Sequence, residues 1–413
     1  MSELRPRSTV SAPTKPGIAR HGRLKKAGPW GAILSFTGAS LAVLLVSGSA
    51  VAGIAASQLL NQVETVSLIG ETDGPPPSIG AYPDGFNMLI VGSDMCESDD
   101  GCDGRGSANL NDVTMLLHVS ADGTNATAVS FPRDLVVPIP SCPKEDGSGN
   151  TAAMSAMPIN NTLYYGGLPC TVLTVENLTG VKIQFAGLIT FNGVIKMSNA
   201  VGGVEVCAAG DIRDKYVGLY LKKGKHTLKG YKALAFLRSR HGVGDGSDLT
   251  RISSQQVYLS SLVRTLKSSE TLSDPLKVYS IAQAATSSMT LSKGLKQLDT
   301  MASIAYRLKD IPLENVTFVQ YPGTTGVGGV YAGKVAPIQA KADALFAKIR
   351  ADEPFRLATV GDGNGSVKDP NAPKDTETDE PKPTSSATST PVKLDTLDIK
   401  GQTAADYTCS NPY

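Results

Sequence analysis

The chain carries almost no net charge: 39 lysines and arginines against 38 acidic residues leave +1 over 413 residues. Without a positive excess there is no electrostatic footprint of a nucleic-acid-binding protein. Histidine is scarce as well. His21, His118, His226 and His241 are scattered and no C-x-x-C spacing occurs, which argues against a structural zinc site. Internal repeats are absent, so a solenoid or propeller is not indicated.

Charge is also missing locally. No Asp, Glu, Lys or Arg lies between Gly28 and Leu60, whereas Arg5, Arg7, Lys15, Arg20, Arg23, Lys25 and Lys26 precede it against Glu3 alone. The stretch Trp30 to Ile54 exceeds the roughly 20 residues that span a bilayer. Its basic flank places the N-terminus in the cytoplasm and the rest of the chain outside. A cleaved signal peptide is the alternative, with Ser47 to Ala50 as small residues near the cut, although such apolar regions normally run about 7–15 residues. The expected order is a cytoplasmic basic tail (1–27), a transmembrane anchor region (28–60) and an extracytoplasmic spacer (61–84) containing Pro75-Pro76-Pro77. A globular part follows.

All six cysteines, Cys96, Cys102, Cys142, Cys170, Cys207 and Cys409, fall on the expected outer side. An even number there points to disulfides. Cys96 and Cys102 enclose a short loop and suit a local pair. The connectivity of the other four stays open, with Cys142–Cys170 and Cys207–Cys409 favoured.

The globular pattern opens at Phe86. Asn87 to Val91, Val113 to Val119 and Ala126 to Phe131 read as strands, and the near-continuous apolar run of the second suits a strand covered on both faces. Cys170 to Leu178, Phe191 to Ala200 and Leu228 to Leu237 read as helices, with Phe185 to Ile189 and Val204 to Val206 as strands between them. This alternation argues for α/β with a buried sheet. Leu291 to Leu308 and Pro337 to Arg350 read as helices, and Val316 to Tyr321 as a strand. Residues 352–392, rich in Pro, Thr, Ser, Asp and Lys, read as a disordered linker. Residues 393–413 read as a tail tethered by Cys409.

The polar residues gather at strand ends: Asp94 after the first strand, Asp112 before the second, Arg133 and Asp134 after the third. Later, Leu234 to Leu237 deliver Arg238 and Arg240 to a turn containing Gly242, Gly244 and Gly246, and a helix opens near Asp248. Arg251 and Gln255 lie four residues apart and share a helix face, while Leu259, Leu262, Val263 and Leu266 point to a core. Ligands of open α/β sheets sit where strands finish. Carboxylates suit a hard cation and planar guanidiniums suit phosphate. Singly, each aspartate also fits a turn or cap.

These motifs resemble the LytR-CpsA-Psr (LCP) domain of cell-wall glycopolymer transferases, actinobacterial type. Phe86 to Asp94 resembles its opening strand and aspartate, Asp112 to Leu117 its second strand, and Val129-Ser130-Phe131-Pro132-Arg133-Asp134 its Ser-x-Pro-Arg-Asp signature. Ile159-Asn160 with Tyr165-Gly166-Gly167, and Ala233 to His241 with Arg251 and Gln255-Gln256, resemble its later blocks. The likeness covers about residues 85–270, followed by a C-terminal extension at 271–351. It implies an α-β-α sandwich with a mixed central sheet. It also implies transfer of a glycopolymer from a polyprenyl-pyrophosphate carrier onto peptidoglycan, at the muramic acid 6-hydroxyl, forming a phosphodiester, with pyrophosphatase cleavage as an accessory activity. Asp94 and Asp112 would then bind magnesium, or manganese in its place. Arg133, Arg238, Arg240, Arg251 and Gln255 would hold the pyrophosphate, and the lipid would lie in an apolar tunnel. Asp94, Asp112 and Arg133 would form the catalytic set, with either aspartate as proton acceptor. Four positions depart from the family pattern, where Cys96, Leu110, Pro158 and Ser254 replace expected basic residues. A non-catalytic binder of polyprenyl phosphate or wall polymer that regulates envelope assembly is the alternative.

Overall fold

The computed structural model describes residues 63–71, 74–95, 109–144, 146–373 and 394–413, together with Thr37, Ser57 and Gln58. The chain divides into two compact units, Met1–Ala55 and Ala56–Tyr413, and the elements named here belong to the second. The expected membrane anchor apart from those three residues, the Cys96–Cys102 pair and residues 374–392 of the expected linker lie outside the described residues. Among the described residues no helix is long and apolar enough to cross a membrane.

The core is one mixed sheet. Its strands are β1 (Glu64–Val66), β2 (Phe86–Ser93), β3 (Asn111–Val119), β4 (Ala126–Phe131), β5 (Phe185–Ile189), β6 (Met289–Ser292), β7 (Val316–Gln320) and β8 (Gly401–Thr403). They lie in the order β1-β6-β5-β2-β3-β4-β7-β8. Strands β2 and β5 are parallel, as are β4 and β7, while β3 runs antiparallel to both its neighbours. Strands β2, β4, β5 and β7 therefore finish at the same sheet edge, where β3 begins.

Helices cover both faces, which is why the central strands read as nearly continuous apolar runs. Leu89, Val91, Leu116 and Val129 pack towards Val172 and Val175 of α1 (Thr162–Thr179) and Leu345 and Phe346 of a helix at Gln339–Arg350. The alternate residues Ile90, Met115 and Ala128 face Leu259 and Val263, since successive strand side chains point to opposite faces. That second face carries α2 (Phe191–Ala200), α3 (Tyr231–Arg238) and α4 (Asp248–Lys267). Leu262 and Leu266 of α4 pack instead against the apolar side of a smaller sheet.

Several local expectations need correction. Glu64–Val66 is an edge strand paired with β6 rather than part of a free spacer. Met289–Ser292 is a strand followed by a short 3-10 turn, so the helix expected from Leu291 begins at Leu298. Leu228 ends a strand and α3 starts at Tyr231. Helix α1 starts at Thr162, upstream of Cys170, and kinks at Gly166 and Gly167, the latter with φ 63°. A side chain at residue 166 would also press on the Pro143 carbonyl oxygen and Cys142. Pro169 is tolerated because it opens the second segment, where its missing N–H has no helical partner to lose.

The tail is held by more than a disulfide. Strand Thr408–Ser410 lies between Val204–Ala208 and Ser366–Lys368 in the smaller sheet, and β8 extends the main sheet beside β7. Residues 366–368 thus form a strand within the segment expected to be linker. The structure joins Cys142 to Cys170 and Cys207 to Cys409, the connectivity favoured from the sequence. The second bridge spans a sequence separation of 202, and closing so long a loop restricts the unfolded chain most. We expect Cys409→Ser to lower unfolding free energy by about 2–5 kcal/mol, read as a lower urea midpoint with an intact far-UV spectrum before denaturation. An unchanged midpoint would show that the strand pairings alone hold the tail.

Candidate functional site: an arginine–aspartate cluster beside an apolar cavity

Four segments meet at the sheet edge where β2 and β4 end. Asp94 follows β2, and its Oδ1 accepts the Leu110 N–H at 2.8 Å. Asp112 is the second residue of β3 and pairs with Arg133 through Oδ1. The Pro132-Arg133-Asp134 loop is fixed from the far side: Asn160 N donates to the Arg133 carbonyl at 3.1 Å, and Ile159 N to the Leu135 carbonyl at 2.8 Å. The Ile-Asn block therefore holds the loop that carries Arg133.

The centre of this network is Asp248, the first residue of α4, with a side chain only 1% exposed. Its Oδ2 accepts the Arg133 backbone N–H at 2.7 Å. Its Oδ1 takes Arg251 Nη2 at 2.7 Å and Arg240 Nη2 at 3.1 Å. Arg251 Nη2 also donates to the Asp112 carbonyl at 2.8 Å. Arg240 reaches on to Asp134 Oδ2 at 2.7 Å, and Lys334 lies 3.7 Å from Asp134. Ser247 caps the helix by accepting the Thr250 N–H, which leaves Asp248 free to turn towards the arginines.

The turn between α3 and α4 is clamped from two directions. Asp214 Oδ2 accepts from Ser239 Oγ at 2.9 Å and from the N–H groups of Arg240 and His241, both at 3.0 Å. On the outer side, Gly244 N donates to the Asn411 carbonyl and Tyr413 N to the Gly242 carbonyl. Ser254, one of the four departures from the family pattern, hydrogen-bonds Ser410 at 2.7 Å. The tail thus covers the flank of α4 at that position.

Charge follows from this packing. Burial raises the Asp94 carboxyl above its usual range, Leu110 opposes that, and the negative Asp112 nearby adds to it. Burial would raise Asp134 too, but hydrogen bonding from Arg240 and the surrounding Arg133 and Lys334 charges hold it below the usual range. Burial pulls the Arg251 guanidinium down, against the pull of Asp248 and Asp112.

On the inner side of α4 lies a cavity of about 150 Å³ between the sheet and α2, α3 and α4. Ile90, Met115, Phe191, Val194, Leu234 and Leu259 are among its walls. Asp112, Arg238, Arg251 and Gln255 line it as well. Arg238 lies over the Phe191 ring at 4.4 Å, and Gln255 Nε2 donates to the Leu237 carbonyl at 2.8 Å. A polar cluster thus adjoins an apolar chamber, a layout suited to an amphiphile with an anionic head.

All the residues singled out from the sequence are drawn towards this edge, though in different roles. Asp94, Asp112, Arg133 and Arg251 form one cluster. Arg240 is engaged with Asp134 and Asp248, and Arg238 and Gln255 line the cavity. In the sequence Asp248 reads only as a helix opening, and Asp214 and Lys334 carry no mark of a role at the site. The Ser247-Asp248 start of the helix could have flagged Asp248; nothing local marks Asp214.

A model of the LytR_cpsA_psr family matches residues 55–347. The chain belongs to this family. The match extends to both sides of the 85–270 segment that carries the motifs. Among LytR_cpsA_psr relatives, cell wall biosynthesis protein LcpA of Corynebacterium glutamicum is 30% identical over 292 residues, 61% of this chain and 53% of that protein. The chain thus spans about half the length of that relative. TagU of Bacillus anthracis, named a polyisoprenyl-teichoic acid–peptidoglycan teichoic acid transferase, is 26% identical over 286 residues, covering 68% of this chain and 85% of TagU. The LytR-Csp2A-Psr enzyme from Actinomyces oris superposes with a TM-score of 0.53 at 21% identity, over 70% of this chain and 95% of that one. That likeness supports the mixed α/β fold.

Two outcomes follow from the charges. Because the folded state raises the Asp94 carboxyl, its ionisation penalty is absent below the ordinary carboxylate range and complete above the folded-state value. We expect Asp94→Asn to melt higher than the wild type at neutral pH, with the gap closing in acid; a lower melting temperature at neutral pH would contradict this. Asp248→Ala strands two arginines, one of them buried, and we expect a loss of about 3–5 kcal/mol in denaturant unfolding, far more than for an exposed aspartate such as Asp310.

Proposed function

We propose that this chain is a phosphotransferase that moves a glycopolymer from a polyprenyl-pyrophosphate carrier onto peptidoglycan. The acceptor is the muramic acid 6-hydroxyl and the product a phosphodiester. The observation that carries this is the contiguity of the Asp112–Arg251 cluster with the apolar cavity walled by Ile90, Met115 and Leu234. A lipid pyrophosphate needs both environments at once. The names of LcpA and TagU point the same way.

In this reading Arg133, Arg238 and Arg251 bind pyrophosphate oxygens, with Arg240 and Gln255 fixing the surrounding wall. The acceptor oxygen attacks the carrier-distal phosphorus, the bond to polyprenyl phosphate breaks, and charge gathers on the leaving group, where fixed guanidiniums stabilise it. Asp94, with its raised carboxyl, is suited to take the hydroxyl proton. Cleavage by water instead of the sugar hydroxyl gives the accessory pyrophosphatase activity.

A divalent cation fits this donor set. Asp94 and Asp112 each have one carboxylate oxygen engaged, and Oδ2 of each has no hydrogen-bond partner among the described residues. The two charges raise each other's cost, as the Asp94 shift records. The cluster's cations, Arg133, Arg238, Arg240, Arg251 and Lys334, outnumber Asp94, Asp112, Asp134 and Asp248 by one, less than the charge of a pyrophosphate diester. Magnesium, or manganese, held by Asp94 and Asp112 would add the missing positive charge and polarise a phosphate oxygen.

We place the domain outside the cell on a single N-terminal span, with the N-terminus in the cytoplasm. The two disulfides among the described residues suit an oxidising compartment, and tethering keeps the site near a substrate that stays in the bilayer. A binding-only role is the second reading, favoured by one feature: Arg133, Arg240 and Arg251 already satisfy internal carboxylates.

The test is release of polyprenyl phosphate by the full chain in detergent, with magnesium and a peptidoglycan acceptor. We expect turnover by wild type and a loss of about 100-fold or more in Asp94→Asn and Arg251→Lys. Carrier binding without any release would establish the binding role instead.

A further inference from the structure

A second cavity, of about 240 Å³, lies on the other side of the first turn of α4. Ser247 and Leu249 line it, and Asp248 between them faces the arginine cluster. Its floor is the end of β7, the strand beside β4, so it shares the sheet edge at which Arg133 and Asp134 stand. Its polar groups come from separate segments: Asp245, Gln320, Lys341, Asp362, Asp398 and Lys400.

Three features define what it can hold. Asp245 Oδ1 accepts from Ser247 N and Thr250 Oγ1, and Asp362 Oδ1 from the N–H groups of Asn364, Gly365 and Ser366. Each carboxylate is thereby oriented, and Oδ2 of each has no hydrogen-bond partner among the described residues. Gln320 is only 6% exposed, and its side-chain amide has no hydrogen-bond partner among the described residues; as a lining residue of the cavity it offers a donor and an acceptor to whatever enters. Finally, the charges nearly balance, with three carboxylates facing two lysines, one of which pairs with Asp398 at 2.7 Å. Such a cavity offers a polyphosphate no net attraction. It offers alternating donors and acceptors, the complement of a ring bearing several hydroxyls. Its volume lies just below the roughly 300–1,000 Å³ of small-molecule pockets, enough for a terminal sugar rather than a polymer.

We propose that this cavity is a saccharide subsite, which seats a sugar ring beside the phosphate cluster with the N-terminal turn of α4 as the shared wall. The proposal rests on the transferase reading and deepens it. The sugar belongs either to the peptidoglycan acceptor or to the donor polymer next to its pyrophosphate. Asp362, Asp398 and Lys400 lie beyond residue 347, where the family match stops, so the tail that braces the arginine turn also shapes this subsite. Selection among glycans would then reside in a part of the chain outside the family match.

The test uses the full chain in detergent and three probes in calorimetric titration. They are an N-acetylglucosaminyl–N-acetylmuramyl fragment, the lipid-linked donor, and sugar-free polyprenyl pyrophosphate. Gln320→Ala removes the buried amide, and Lys400→Glu inverts an exposed charge without disturbing the core. Both variants should weaken one saccharide about tenfold and leave sugar-free polyprenyl pyrophosphate within about twofold. Weakening of the fragment identifies an acceptor subsite, and weakening of the donor alone identifies a donor-sugar subsite. Saccharide affinities unchanged in Lys400→Glu and Gln320→Ala, or no saccharide binding by wild type, would overturn the proposal. Failure of wild type to bind sugar-free polyprenyl pyrophosphate would instead count against the transferase reading while leaving the saccharide result standing.

Discussion

The buried carboxylate of Asp248 is the interaction on which the site depends. It sits at the start of α4, where the unpaired N–H groups favour negative charge. It binds Arg240, Arg251 and the backbone of Arg133 at once. The loop after β4 and the turn that opens α4, 115 residues apart in sequence, therefore share one anchor. Burying these charges is expensive unless each is paired and hydrogen-bonded. Asp112 and Asp134 complete the pairing, and the resulting order presents guanidiniums without requiring a substrate to arrange them.

That anchor needs a fixed backbone, and the fold supplies it from unexpected places. Asp214 holds the arginine turn from the end of a two-stranded ribbon, Ile212–Asp214 with Leu219–Leu221, and Asn411 and Tyr413 hold it from the tail. The polar flank of α4 is explained by the same contact. Gln402 donates to the Gln256 carbonyl and to Ser260, and Arg264 reaches the Ala404 and Asp406 carbonyls. Helix α4 thus separates three environments: apolar cavity on one side, tail on another, saccharide-sized cavity at its first turn.

Much of this was legible in the sequence, for physical reasons. The central strands were readable because burial on both faces leaves apolar runs. Arg133, Arg251 and the aspartates stood out because several charged groups collected at strand ends and one helix start. The edge strand β1 and its neighbour β6 were not readable. Both are short, and Met289–Ser292 runs into a helix-like apolar pattern that hides its boundary. The tail was misjudged as a tether because its strands are only three residues each, and their partners in β7 and Val204–Ala208 lie more than eighty residues earlier. Asp214 and Gln320 carry no local signal at all, since their roles come from residues brought near by the fold.

The central claim is that one amphiphilic site joins the arginine cluster to the cavity beneath α4. Photo-crosslinking of the full chain with a diazirine-bearing polyprenyl pyrophosphate, followed by peptide mapping, tests it directly. The account predicts labels on peptides containing Ile90, Val194, Leu234 or Leu259, suppressed by unlabelled polyprenyl pyrophosphate. Labels confined to other surfaces, or indifferent to that competitor, would contradict it.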